Sequence, residues 1–141
     1  MLDNKSNFMK FAHHFWEQQD SSVIDCYVAK DCIIHTPLTQ SYGSMTLKQI
    51  ADKWFEAFPD LLLFFRNCVA EDDQVVCRWR AKGTHLGSFF ETQPTHQEVS
   101  FVGVTMCRYH EGLIQEYWSL IDVHSILKQL GGVRSISEVV D

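Results

Sequence analysis

The sequence predicts an α+β fold, with N-terminal helices packed on one face of a strongly curved, mostly antiparallel sheet. Two observations carry that prediction. Apolar residues recur at helical spacing as far as Phe58, and beyond residue 60 the chain turns to long strand-like runs separated by turn residues. Size is bounded by a third: 141 residues, 45% hydrophobic, with only 3 Pro and 7 Gly, fit one domain over residues 1–141 with a sizeable core.

Phe8, Phe11, Ala12, Phe15 and Trp16 follow the spacing i, i+3, i+4, i+7, i+8, which predicts an amphipathic helix over residues 4–19. His13 and His14 ride on it, His14 off the apolar stripe and facing solvent. "DSS" at 20–22 ends this helix and caps a second short one, whose apolar face is Val23, Ile24, Tyr27 and Val28. Cys32, Ile33 and Ile34 suit a short strand ended by Pro37. After a polar loop over 38–45, "TLKQ" at 46–49 reads as a capping box, Thr46 with Gln49. Leu47, Ile50, Ala51, Trp54 and Phe58 form the stripe of a third helix, stopped by Pro59. "LLLFFRNCVA", the turn "EDD" and "QVVCRWRAKGTH" make a hairpin, and "LGSFFETQPTHQE" is a loop. "VSFVGVTMCRY" is a third long strand, joined through a three-residue turn, "HEG" at 110–112, to "GLIQEYWSLID". Alternation places Ile114, Glu116, Trp118, Leu120 and Asp122 on one face of that last strand. Val123, Ile126, Leu127 and Leu130 make a closing helix ended by Gly131 and Gly132, and the tail beyond is left open.

The formal net charge is −6, from 12 basic and 18 acidic residues, and no clustered basic footprint for nucleic acid is present. Arg78, Arg80 and Lys82 alternate with apolar residues, as on the solvated side of a strand. Five scattered cysteines, with no Cys-x-x-Cys pair, read as reduced and buried, which suits a cytoplasmic protein. The N-terminal stretch has no long apolar run, and no run of about 18 apolar residues predicts a membrane span. Gly-x-Ser-x-Gly, P-loop and dinucleotide fingerprints are absent, and His and Cys never fall at metal-finger spacing. Metal, nucleotide and Ser-nucleophile mechanisms are therefore not expected.

Four segments, in order and with matching spacing, resemble the SnoaL-like polyketide cyclase (ester cyclase) family of the NTF2-like superfamily. They are "CIIHTP", "WFEAFPDL", "DDQVVCRWRAKGTHLGSF" and "FVGVTMCRYHEGLIQEYWSLIDVHSILKQLG". The resemblance covers nearly the whole chain. The loop after Gly-Thr-His-x-Gly departs from the family pattern, with His96 where a Gly is usual. The resemblance implies a cone-shaped fold, a hydrophobic small-molecule ligand, a homodimer through the outer face of the sheet, and an aldol-type ring closure without metal or organic cofactor. It also implies that an acidic residue near the end of the final strand acts as general acid/base, and Asp122 in "EYWSLID" is the matching position.

The residues themselves leave alternatives open. Asp122 is either this acid/base or the N-cap of the last helix, with Ser125 three residues on. Glu116 is read as the ion-pair partner of Arg108, and Glu116 and Asp122 lie about 20 Å apart along a regular strand, too far for a carboxylate dyad. His35 is a second catalytic candidate, as donor to a substrate carbonyl, or else a hydrogen-bonded residue at the core edge. Trp54, Phe58, Trp79, Met106 and Trp118 are candidate pocket residues as well as core, with His85 and Tyr42 at the mouth or rim. The leading expectation is a cyclase or isomerase that abstracts a proton next to a carbonyl. The rivals are a non-catalytic binding module and, below both, an epoxide hydrolase, which would need Asp–Arg–Asp together in the cavity. Fold alone does not choose among them.

Overall fold

The computed structural model describes residues 3–36, 40–89 and 91–131, so Pro37, Gly132 and the tail lie outside the described residues. The first helix is α1 (Asn4–Phe11), capped by the Asp3 carboxylate on the Ser6 N–H and continued by a π-helical segment, Ala12–Glu17. Phe8, Phe11, Ala12 and Phe15 are fully buried, as their spacing predicts. His14 does not face solvent freely: its Nδ1 lies 2.6 Å from the Tyr27 hydroxyl in a half-buried contact. Asp20 caps a short 3₁₀ turn that leads into α2 (Ile24–Tyr27).

A six-stranded sheet follows: β1 (Val28–His35), β2 (Gln40–Tyr42), β3 (Leu62–Glu71), β4 (Gln74–Thr84), β5 (Glu98–His110) and β6 (Leu113–Ile121), in the spatial order β2-β1-β6-β5-β4-β3. Among the described strands β1 and β6 pair parallel, and the other neighbouring pairs are antiparallel. The helices cover the face that carries Phe65, Val75, Cys77, Trp79, Phe101 and Tyr117, while Arg78, Arg80 and Lys82 alternate onto the opposite, outer face. No helix among the described residues is long and apolar enough to cross a membrane.

Several expectations are corrected. The polar loop over 38–45 contains β2, which pairs antiparallel with β1, and Val28 belongs to β1 rather than to the second helix. α3 (Ser44–Ala57) starts two residues before the expected capping box: Gly43 at φ +98° turns the chain straight into the helix, and no side chain caps it. The β5–β6 turn has two residues, Glu111 and Gly112, both at positive φ, which is the preferred hairpin geometry. The turn together with a one-residue bulge in β6 sets Arg108 directly opposite Glu116, and the Asp122 N–H reaches Val102 O (3.3 Å) rather than lying opposite Ser100.

A bulge at Gln115 accompanies this register, since Tyr109 pairs with Ile114 and Arg108 with Glu116. The extra residue flips the alternation. Ile114 faces the core, whereas Glu116, Trp118 and Leu120 face outward and Tyr117, Ser119 and Ile121 face inward. The single apolar row expected on β6 is thus split between the two faces.

Not all five cysteines are reduced and buried. Cys68 and Cys77, paired across β3 and β4, form a disulfide, Cys26 is exposed, and Cys32 and Cys107 are buried free thiols.

Candidate active site

Where β6 turns its odd-numbered side chains inward, the sheet and the helices enclose a cavity of about 560 Å³. That is within the range of small-molecule sites, roughly 300–1,000 Å³. Trp16, Leu47, Ile50, Trp54, Phe89 and Ile121 give it apolar walls. Each has a local cause: Trp16 comes from the π-helical segment, Leu47, Ile50 and Trp54 from the apolar stripe of α3, and Ile121 from the inward phase of β6. Exposed Lys53, Glu56 and Glu91 lie at its mouth, with Thr36 and Ser88. At the deep end, a narrow extension of about 30 Å³ runs between Leu63, Phe65, Trp79, Phe101 and Thr105.

Polar groups deep in the cavity are few and uncharged. Tyr117 is 3% exposed, and burial raises its hydroxyl pKa above the ordinary tyrosine value, so it stays protonated. The Trp79 Nε1–H donates to Thr105 Oγ1 (2.9 Å), and Ser119, the cross-strand partner of Thr105, is also buried.

The expected site residues divide into three groups. Trp54 lines the cavity and Trp79 its deep extension. His35, Glu116, Arg108, Trp118 and Met106 instead gather on the outer face. Glu116 bridges His35 Nε2 (2.7 Å) and Arg108 Nε (3.3 Å), His35 stacks on Trp118 at 4.9 Å and 8°, and Met106 pairs with Trp118 across the strands. The reason is the Gln115 bulge, which sends the even-numbered residues of β6 outward. Asp122 is exposed; its Oδ1 accepts from the Ser125 N–H (3.0 Å), the cap geometry, and it shares a shallow outer depression with Arg80, Lys82 and Val102.

Phe58, His85 and Tyr42 line neither the cavity nor its extension. Phe58 is core, packed against Trp54, Phe89 and Phe101. Tyr42 is an exposed residue of the edge strand β2. His85 is fully buried, its Nδ1 accepting from the Thr95 N–H (3.1 Å), and burial lowers its pKa below the usual histidine value. Sequence reasoning passed over Trp16, Tyr117 and Ser119 as site residues. Trp16 stood in a core stripe, and the two β6 residues stood on the face taken for solvent. Among the described residues no group of three or more His, Cys, Asp or Glu is arranged to hold a metal ion. Among the described residues, the cavity lining contains no Arg and no Asp.

A helix-covered mixed sheet around an apolar cavity is the architecture of the NTF2-like fold. The SnoaL-like polyketide cyclase family model matches residues 6–130, and the chain belongs to that family. No curated protein matches it closely enough to be counted as a relative. Among solved structures it is similar to AclR, a proposed hydroxylase from Streptomyces galilaeus, with 29% identity, 96% of this chain and 85% of that one covered, and a TM-score of 0.83. A proposed SnoaL-like polyketide cyclase from Jannaschia sp. CCS1 superposes with a TM-score of 0.84 at 20% identity, covering 92% of both chains. IdmH, a proposed polyketide cyclase from Streptomyces antibioticus, does so at 0.78 and 24% identity, covering 92% of this chain and 99% of that one. The latter two likenesses speak to fold alone.

Proposed function

We propose that the chain is a cyclase- or isomerase-type enzyme that takes an apolar, ring-bearing carbonyl compound into the cavity and moves a proton next to its carbonyl. The observation that carries this reading is the cavity itself, aromatic-walled, of small-molecule size, and polar only at a few points. Its walls would fold a flexible substrate so that the reacting carbons meet. The carboxylates facing that space are Glu56 and Glu91 at the mouth, and they are the groups assigned to proton transfer. Asp122, engaged on the Ser125 N–H, is assigned to capping.

A second reading, binding without chemistry, is favoured by one observation: among the described residues, the deep wall carries no carboxylate or imidazole. Deuterium exchange separates the two. Methyl aryl ketones such as 2-acetylnaphthalene are incubated with the protein in D₂O, and α-proton loss is followed by NMR. Exchange above the buffer rate, abolished in Glu56→Gln or Glu91→Gln but not in Asp122→Asn, supports the enzyme. Saturable binding with exchange at the buffer rate leaves the binding module.

A further inference from the structure

The polar side chains at the deep end of the cavity are unequal in what they offer. Trp16 and Trp79 present indole N–H groups, which donate and never accept. Trp79 is satisfied by Thr105. Trp16 Nε1–H is buried and, among the described residues, has no partner in hydrogen-bond geometry. A buried donor left in that state has lost its water partners without replacement, which a ligand acceptor would remedy. It lines the cavity and its deep extension, as does Tyr117.

Acceptors are scarce by comparison. The described residues lining the extension include no Asp, Glu, His, Asn or Gln. The side-chain acceptors there are three hydroxyl oxygens, of Thr105, Tyr117 and Ser119, and Thr105 already receives the Trp79 proton. Such a wall favours a ligand atom that accepts hydrogen bonds and gains negative charge.

We infer that the Trp16 Nε1–H and the Tyr117 O–H form a two-donor site for the carbonyl oxygen of the substrate, which enters oxygen-first and has its enolate stabilised there. This rests on the carbonyl-compound reading above and adds to it the groups that hold the oxygen and the direction of entry. Preorganised donors aimed at a developing oxyanion are a large contributor to such reactions. Sitting in a water-poor apolar cavity strengthens them further. Neither donor needs to change protonation state, because an indole does not titrate and buried Tyr117 stays protonated.

The test uses two probes of one shape, 2-acetylnaphthalene and 2-isopropenylnaphthalene, in which a CH₂ replaces the carbonyl oxygen. Kd is read from protein fluorescence, and the bound C=O stretch from infrared difference spectra, for the wild-type chain, Tyr117→Phe and Trp16→Phe. The expected result is about a tenfold loss of ketone affinity in each variant, the factor that one ordinary hydrogen bond supplies. The hydrocarbon should bind all three within about twofold by the same arithmetic. The carbonyl stretch should lie lower in the wild-type chain than in either variant. Equal weakening of both probes, or an unshifted stretch, overturns the two-donor site while leaving the cavity reading standing. Failure of both probes to bind the wild-type chain removes the cavity reading and the donor site with it.

Discussion

Asp122 offers the sharpest perturbation, because Asn and Ala at this position separate a cap from a base. Its Oδ1 accepts from the Ser125 N–H at 3.0 Å and so satisfies one of the free donors at the start of α4 (Val123–Gln129). α4 buries Ile126, and Leu130 just after it, against the rest of the fold, so loosening its first turn is felt in the core. Removing an Asp cap costs about 1 kcal/mol, whereas Asn caps nearly as well. For a chain of this length 1 kcal/mol corresponds to a fall in Tm of about 3–4 °C. Asp122→Ala should therefore melt a few degrees below the wild-type chain and Asp122→Asn within about 1 °C of it, by the same scale. Both should retain the α-proton exchange rate on 2-acetylnaphthalene. Differential scanning calorimetry and the D₂O exchange assay read the two quantities independently. An unchanged Tm in Asp122→Asn with an exchange rate about 10²-fold lower would refute the assignment and make this carboxylate the base.

Four further outcomes are expected. Gly103→Ala sets a Cβ 2.2 Å from the Trp79 ring, and displacing that packed indole should cost about 1–3 kcal/mol in urea denaturation and disturb the deep end of the cavity. Thiol titration of the unreduced, denatured chain should count Cys26, Cys32 and Cys107 only, and Cys68→Ser should lower stability by about 2–3 kcal/mol, the loop-closure value for so short a loop. His85 is held neutral by burial below its usual pKa, so the stability it contributes is complete above about pH 6.5 and is lost as pH falls below that; Tm measured from pH 7.5 to 5 should fall more steeply in the wild-type chain than in His85→Gln. Phe64, Val102, Val104 and Leu120 are exposed together on the outer face of the sheet, and we propose a second copy of the chain there; sedimentation should give a dimer at micromolar concentration and a monomer for Leu120→Lys.

Periodicity made most of the framework legible. Apolar stripes located α1, α3 and α4, and alternation located β3 to β6, because burying one face imposes those periods on the sequence. What escaped was decided by single residues. β2 is three residues long and mostly exposed, too short for alternation to register. Gly43 starts α3 by its backbone conformation, a cue weaker on the page than the capping box that follows it. The site was less legible than the fold. The cavity faces odd residues of β6, and one bulge residue, Gln115, reversed which face was taken as inward. Ion pairing between Glu116 and Arg108 was readable because it needs only neighbouring strands, whichever face they present.

That reversal also explains why two residues with catalytic credentials, His35 and Glu116, stand outside the cavity. β1 and β6 pair parallel, and no tight turn fixes their register as it does for the hairpins. A parallel ladder is also slightly weaker per residue than an antiparallel one. Glu116 supplies the missing constraint. One carboxylate oxygen meets His35 on β1 and the other meets Arg108 on β5, while the His35 ring lies flat on Trp118. Slipping β1 by one residue would break the carboxylate contact and the stack together. Such a slip would also carry Ile34 and Thr36, on the opposite phase of β1, away from the core and the cavity mouth. The outer cluster therefore bears on the site through register: it holds the strand whose other face presents Tyr117 and Ser119 to the cavity.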